Sequence, residues 1–170
     1  MIQNKLSLIS ATEEDIPAIT SIHNACSHKL TAQHGKGHWT YESTDKGVRF
    51  TMTRPKSKLL IVKSGDKVLG TLILATKKPW AIDTNYFTPV KQPLYLTGMA
   101  VHPQWQRKGI GSFMLKQIIT VATQWPAQAI RLDAYDHAAG AGAFYSKCGY
   151  TERGHVSYKG NPLIYFEWLL

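Results

Sequence analysis

Two glycines and a pair of basic residues lie close together in the middle of the chain, within residues 106–112. An apolar, strand-like segment ends at Val101, and a helical pattern starts at Gly109. The first backbone N–H groups of a helix have no intrahelical partner and carry partial positive charge, so they bind phosphate groups. The glycines allow close approach, and Arg107 and Lys108 add full positive charges. This run is therefore a candidate pyrophosphate site.

The spacing of these residues excludes two common phosphate motifs. A P-loop requires Gly-Lys-Ser or Gly-Lys-Thr at its end, and the chain has no such sequence after a suitably placed glycine. The dinucleotide-binding fingerprint requires a third glycine, where Met114 stands. A glycine pair at a helix start is a weak signal alone, so the assignment depends on the surrounding sequence.

The surrounding sequence resembles the GNAT superfamily of N-acetyltransferases. Residues 106–111 (QRKGIG) are similar to the Gln/Arg-x-x-Gly-x-Gly/Ala signature of that family. Residues 99–101 (MAV) resemble the Leu-Ala-Val strand end that precedes the signature, and residues 132–135 (LDAY) resemble the strand that follows it. Residues 144–150 (FYSKCGY) resemble the Phe-Tyr-x-Lys-x-Gly-Phe helix end. The combination is specific, whereas any one piece would not be.

The resemblance implies acetyl-CoA, or another acyl-CoA, as the acyl donor. The signature would cradle the pyrophosphate, the pantetheine arm would hydrogen-bond along the preceding strand, and the Met99 amide would polarise the thioester carbonyl. The cofactor-binding residues carried over in this way are Met99, Ala100, Val101, Arg107, Lys108, Gly109, Ile110, Gly111 and Ser112. The family often has an asparagine seven residues before the matching tyrosine, and Ala138 stands there in this chain. In the family this asparagine contacts the cofactor arm, so in this chain that contact is lost or is supplied by another group.

The resemblance also implies two catalytic residues. Tyr145 matches the general acid that protonates the leaving thiolate, and Asp133 occupies the strand position where some relatives have a glutamate base. Asp136 and His137 follow the same strand and are alternative bases. The implied reaction is direct attack of a neutral amine on the thioester in a ternary complex. Residue type alone favours a packed tyrosine on the buried face of a short helix, whereas the place of Tyr145 in the matching motif favours catalysis.

The acceptor site implied by the resemblance involves residues 27–40 and 79–93. Within them, His38, Trp39 and Tyr86 are the candidate acceptor contacts. An aromatic wall suits an apolar or cationic acceptor, and the alternative is that these aromatics pack the loops onto the core. The long aromatic connection favours a small-molecule primary amine. A protein or peptide N-acetyltransferase and a non-catalytic CoA-binding module are the alternatives.

The charge of the chain indicates an anionic partner. It has 20 Lys and Arg against 11 Asp and Glu, which gives a formal net charge of +9. The basic residues are scattered rather than clustered, so we expect no nucleic-acid partner and attribute the charge to attraction of CoA. Several histidines and one cysteine lie close in sequence, at spacings that fit no zinc pattern, so no metal site is expected. They are His23, Cys26, His28, His34 and His38.

The elements that position these residues follow the order β-α-α-β-β-β-α-β-α-β-β. Strands are predicted over residues 6–9, 59–62, 68–75, 94–101, 130–135, 150–158 and 163–169. Helices are predicted over residues 13–26, 42–52, 109–125 and 139–148, with a loop or broken helix over 27–40. The pattern is an α/β fold in which a mixed, largely antiparallel central sheet is flanked by helices, as in GNAT proteins.

The length of the chain suits one domain over residues 1–170. There is no run of eighteen apolar residues and no apolar N-terminal stretch, so neither a membrane partner nor a secretory signal is expected. Two cysteines are too few for a disulfide scaffold, so the expected location is the reducing cytoplasm. The resemblance suggests a homodimer, although no sequence feature shows one.

Overall fold

The computed structural model describes residues 5–170. Its strands and α-helices are β1 Leu6–Ser10, α1 Ile16–His34, α2 Asp45–Met52, β2 Ser57–Ser64, β3 Lys67–Ala75, β4 Pro93–Val101, α3 Ile110–Gln124, β5 Ala129–Tyr135, α4 Gly142–Lys147, β6 Thr151–Tyr158 and β7 Asn161–Leu169. The strands form one sheet in the order β1-β2-β3-β4-β5-β7-β6. The β4–β5 pair is parallel, whereas β1–β2, β5–β7 and β6–β7 are antiparallel. The predicted order and the largely antiparallel sheet are confirmed.

The described residues form two compact units. The first unit comprises the described residues up to Leu74 together with Thr97–Gln117, and the second comprises Ala75–Leu96 and Ile118–Leu170. Among residues 5–170, no helix has both the length and the apolar character that crossing a bilayer requires.

In the first unit, α1 packs its apolar face against α2 and β2 around Ile16, Ile19, Val48, Leu59 and Ile61. The start of α1 is held by the carboxylate of Asp15, which accepts from the backbone N–H and the hydroxyl of Thr12 and lies 2.7 Å from the ammonium of Lys63. Burial opposes ionisation, but these partners outweigh it and lower the pKa of Asp15. Thr12 and Asp15 form a capping box around the 3-10 turn Glu13–Asp15 that leads into α1.

Helix α1 differs from its prediction because it continues to His34. Residues 27–40 were expected to form a loop or broken helix, because that segment is rich in histidine and glycine. Ser27 is instead buried, and its hydroxyl accepts from the N–H of Tyr41. The helix ends where the first glycine allows it, at Gly35 with φ of 77°.

The other helix boundaries differ less from their predictions. Helix α2 begins at Asp45, because the Thr44 side chain caps it by accepting from Gly47 N–H. Helix α4 begins only at Gly142, because the preceding residues form a turn in which Gly140 N–H donates to the His137 carbonyl.

In the second unit, a buried ion pair joins β5 to β7. The guanidinium of Arg131 lies 3.0 Å from the carboxylate of Glu167, and their side chains are 4% and 2% exposed. Arg131 also donates to the Thr88 carbonyl, and Thr88 N–H donates to Glu167. The pair therefore binds both the N–H and the C=O of Thr88, which lies in the connection before β4.

We predict that Glu167→Gln destabilises the protein by about 3–5 kcal/mol, because it leaves the Arg131 charge buried without its partner. The measurement is the free energy of unfolding in urea. The matched control is Glu13→Gln, which removes the same type of group from an exposed pair with Arg49 and should change stability little. Equal effects of the two substitutions would contradict this account of the buried pair.

Candidate functional site

The start of α3 combines exposed charge with an open backbone. Gly109 has φ of +80°, and a Cβ placed on it would meet no atom within 4 Å. Arg107, Lys108 and Gly109 are exposed, whereas Ile110 is buried and anchors the first turn. Arg107 has φ of 59°, in the left-handed region that non-glycine residues rarely adopt. The loop therefore bends sharply and leaves free space in front of the helix start.

Lysine side chains lie on both sides of the loop tryptophan. The ammonium of Lys67 lies 4.5 Å from the ring centre of Trp105, and that of Lys108 lies 4.7 Å from it. Contacts at this distance are cation–π interactions. They concentrate positive charge next to the start of α3.

Gln106 anchors the loop to the end of β4. Its amide donates to the Val101 carbonyl at 3.0 Å and its side-chain oxygen accepts from Lys29 at 2.6 Å. The thiol of Cys26 donates to the same Val101 carbonyl at 3.2 Å. Gln106 was predicted as the first residue of a signature, but with no role of its own. Its position three residues before the first glycine was the only available signal.

Alternate residues at the end of β4 direct their backbone N–H and C=O groups to opposite sides of the strand. His102 N–H donates to the Leu69 carbonyl, and the Ala100 carbonyl lies so close to Gly70 that an added Cβ would be 2.8 Å from it. Because backbone direction alternates along a strand, Met99 and Val101 point their N–H and C=O groups away from β3. The parallel ladder of β4 with β5 ends at Tyr95, four residues before Met99.

His23 of α1 lies beside this part of β4. Its ring hydrogen-bonds the backbone of Gly98, while its Nε2 is buried and has no hydrogen-bond partner. Burial lowers its pKa, which keeps the ring neutral at neutral pH. In the sequence, His23 stood out only as a member of the histidine cluster. Within residues 5–170, no three His, Cys, Asp or Glu side chains are grouped so that they could hold a metal ion.

Tyr145 lies in the second unit, on the short helix α4. Its side chain is buried among aromatic rings, with centroid distances of 5.7 Å to Phe166 and 6.0 Å to Tyr150. Burial and then the charge of Asp133 raise its pKa far above that of an exposed tyrosine. The hydroxyl therefore stays protonated to a higher pH than an exposed tyrosine and keeps a proton that it can donate.

Asp133 is half-buried on β5, directly opposite Tyr165 of β7. Burial raises its pKa, since few groups compensate the carboxylate charge there. Because the charge of Asp133 raises the pKa of Tyr145, these two predicted catalytic residues are close enough to interact electrostatically.

The alternative bases have structural partners. The carboxylate of Asp136 lies 3.1 Å from Nδ1 of His155. His137 accepts from the N–H of Ala139 within the turn before α4.

The three predicted acceptor contacts lie in different surroundings. Trp39 folds back onto its own loop, where its indole N–H donates to the Gly35 carbonyl at 2.9 Å. His38 is exposed in the same loop of the first unit. Tyr86 is 40% exposed in the second unit, where its ring contacts Tyr165 edge-on at 5.4 Å.

Comparison with known proteins gives one family. A sequence model of the acetyltransferase (GNAT) family matches residues 17–150. A GCN5-related N-acetyltransferase 10, chloroplastic, of Arabidopsis thaliana is 30% identical over 88 residues, which is 52% of this chain. The alignment covers 34% of that protein, so this chain spans about a third of the curated relative it matches.

Solved structures share the fold. A putative acetyltransferase from Salmonella typhimurium with acetyl-CoA has a TM-score of 0.71 at 18% identity, over 98% of this chain and 95% of that one. A ribosomal-protein-alanine N-acetyltransferase from Brucella melitensis has a TM-score of 0.72 at 18% identity, over 96% and 99%. A chimeric spermidine N-acetyltransferase derived in part from Vibrio cholerae has a TM-score of 0.68 at 16% identity, over 96% and 95%.

We predict that Asp133→Asn leaves the protein at least as stable as the wild type at pH 7. The raised pKa means that the folded state favours the protonated acid, so the charged form carries an unfavourable contribution. That contribution is fully present above the folded-state pKa and is lost as pH falls towards the unfolded value of about 3.9. The advantage of asparagine should therefore shrink as pH is lowered.

Thermal unfolding of both proteins from pH 8 to pH 4 measures this difference. A clear loss of stability in Asp133→Asn at pH 7 would mean that the carboxylate has compensating partners in the fold.

Proposed function

The chain belongs to the acetyltransferase (GNAT) family, and we propose that it is an N-acetyltransferase that moves an acetyl group from acetyl-CoA to a primary amine of a small molecule. The observation that carries this proposal is the start of α3, where the open space at Gly109 lies beside the exposed Arg107 and Lys108.

The pyrophosphate of CoA fits this helix start. The amides of Gly109, Ile110 and Gly111 belong to the start of the first turn, where a helix has no carbonyl partners to offer them. Arg107 and Lys108 add two full positive charges. We assign the pyrophosphate cradle to residues 107–112, with Gln106 holding the loop in place through the Val101 carbonyl.

The end of β4 offers a backbone edge for the pantetheine arm. Met99, Ala100 and Val101 form this segment, and the N–H groups of Met99 and Val101 point away from β3. The Val101 carbonyl accepts from Cys26 and Gln106, so we assign the ligand contact at that residue to its N–H. A Met99 N–H aimed at the thioester carbonyl would stabilise the developing oxyanion, an effect of about 2.7–4 kcal/mol in comparable sites.

Acetyl-CoA supplies an activated acyl thioester, and the chain must manage two proton transfers. The amine loses one proton and the leaving thiolate gains one. We assign the base to Asp133, whose raised pKa increases its proton affinity. We assign the general-acid position to Tyr145, whose raised pKa favours hydrogen-bond donation to the sulfur over early proton release.

The acceptor class is supported by the second unit. Tyr86 is an exposed aromatic residue in the connection before β4, which favours a small acceptor held by rings over an extended peptide. A protein N-acetyltransferase is the second candidate, since one structural neighbour is a ribosomal-protein-alanine N-acetyltransferase. A cytoplasmic location is also proposed, on the ground that Cys26 and Cys148 are both thiols.

The cradle is tested by Gly109→Ala, which should abolish the stabilisation of the protein by acetyl-CoA. The methyl group would occupy the open space in front of the helix start. The matched control is Gly35→Ala, because Gly35 has φ of +77° and also nothing within 4 Å of a placed Cβ. Both substitutions add backbone strain of about 1–2 kcal/mol, but only Gly109→Ala should remove the rise in melting temperature with acetyl-CoA.

A thermal shift that survives unchanged in Gly109→Ala would place the pyrophosphate elsewhere.

Turnover is tested by thiol release from acetyl-CoA with a panel of polyamines, amino acids, aminoglycosides and lysine-containing peptides. We expect an acceptor-dependent rate with a small amine. Tyr145→Phe keeps the packed ring and removes the hydroxyl, so kcat should fall by about 10²–10⁴ with little change in the KM for acetyl-CoA. An unchanged kcat would remove Tyr145 from the mechanism, and a rate with peptides alone would favour the protein acceptor.

A further inference from the structure

The second unit contains an open cleft of about 450 Å³. Its walls come from the connection before β4 and from β6 and β7. The side chains that give the cleft its chemical character are those of Trp80, Asp83, Tyr86, His155, Tyr158 and Tyr165.

Four of the ten residues that line the cleft are aromatic, namely Trp80, Tyr86, Tyr158 and Tyr165. The side chain of Trp80 is 84% exposed, which is unusual for the largest apolar side chain. Tyr86 is held against β6, because Gly154 leaves room for its ring where a Cβ would stand 2.6 Å away. Tyr158 already has an ammonium near its ring, that of Lys159 at 5.4 Å from the ring centre. Such rings attract cations through their electron-rich faces.

A carboxylate lies on the same wall. Asp83 is exposed, and one of its oxygens accepts from Asn85 N–H at 3.0 Å. The basic groups around the cleft are engaged with the protein. Lys78 donates to the Pro79 and Ile82 carbonyls, and Arg153 donates to the Tyr86 carbonyl.

His155 contributes no net positive charge to the cleft. Its Nδ1 lies 3.1 Å from Asp136, and its Nε2 lies 2.6 Å from Glu152. Even when its imidazole is protonated, the two carboxylates outweigh it. A bound cation would therefore meet aromatic faces and the carboxylate of Asp83, and at Tyr158 it would share the ring with the Lys159 ammonium.

The cleft adjoins the residue to which we assign the base. Tyr165 lies directly opposite Asp133 in the β5–β7 ladder, and directly opposed side chains share one face of a sheet. The Tyr165 hydroxyl donates to the Ala81 carbonyl and accepts from Asp83 N–H. Tyr165 thus connects Asp133 to the backbone of residues 81–83, which form part of the cleft wall.

We propose that this cleft binds a fixed positive charge on the acceptor, so that the preferred acceptor is an amine with a second cationic group. The faces of Trp80, Tyr86 and Tyr158 and the carboxylate of Asp83 hold that second cation. The other amino group, in its neutral form, is the one that is acetylated. This inference rests on the proposed acetyl transfer for its catalytic part, whereas cation binding by the cleft is independent of it.

The first experiment compares butylamine with 1,4-diaminobutane at constant ionic strength. The diamine has the same carbon chain and one additional ammonium. We expect its kcat/KM to be about tenfold higher, since a cation over aromatic faces with a nearby carboxylate accounts for a preference of this size. Equal values for the two amines would overturn the inference.

Variants of the cleft should remove this preference selectively. Trp80→Ala and Asp83→Asn should each bring the diamine to within about threefold of butylamine, with the KM for acetyl-CoA unchanged. Phe50→Ala is the matched control, because Phe50 is an exposed aromatic residue (63%) of the first unit. A preference that survives in both cleft variants would contradict the assignment.

A probe that cannot be acetylated separates this inference from the proposed function. Tetramethylammonium is titrated into the protein, and the indole N–H signals and the backbone N–H signals of residues 80–86 are followed by NMR. We expect saturable shifts of the Trp80 signal and loss of binding in Trp80→Ala. Binding of the same strength in Trp80→Ala would overturn the cleft assignment, whatever the activity. Binding to the cleft without thiol release from any amine would instead reject the proposed transferase and keep the cation site.

Discussion

The ion pair between Arg131 and Glu167 is the constraint on which the architecture of the second unit depends. Both charges are almost completely removed from water, so each requires the other and the polar groups around them. Thr88 supplies its N–H and its C=O, and Phe87 packs its ring 4.9 Å from the guanidinium. A buried pair of this kind contributes specificity more than net stability, because it admits one placement of the connection. That placement brings Tyr86 against Tyr165 and builds the aromatic wall.

The fold was largely predictable because its elements are encoded by local patterns. Apolar periodicity predicted the strands and the helices. The end of α1 was not predictable from such patterns. Ser27 and the histidines after it disfavour a helix locally, whereas hydrogen bonds of Ser27, Lys29 and Thr31 to residues outside the helix hold its last turns in place. Local composition therefore failed where a distant partner decided the conformation.

At the candidate site, the backbone cradle could be predicted from the sequence, whereas the positions of the side chains could not. The cradle was apparent from sequence because its function requires glycines at fixed spacing from a helix start. The aromatic residues carried no such information, since Trp39 and Tyr86 are equally apolar in sequence. Their positions depend on Gly37 and Gly154, which give each ring a surface to lie on. His23 was missed because its neighbour Gly98 is distant in sequence.

The composition of the cleft also determines when it can form during folding and synthesis. Its walls come from residues 80–86 and from β6 and β7, so segments far apart in the chain must meet before any cation can be held. The β6–β7 hairpin closes over a short turn and forms quickly, on the order of microseconds. The parallel β4–β5 pair requires closure across α3, a slower and entropically costlier step. During synthesis at about 5–20 residues per second, residues 80–86 are exposed for several seconds before β7 exists to complete the wall.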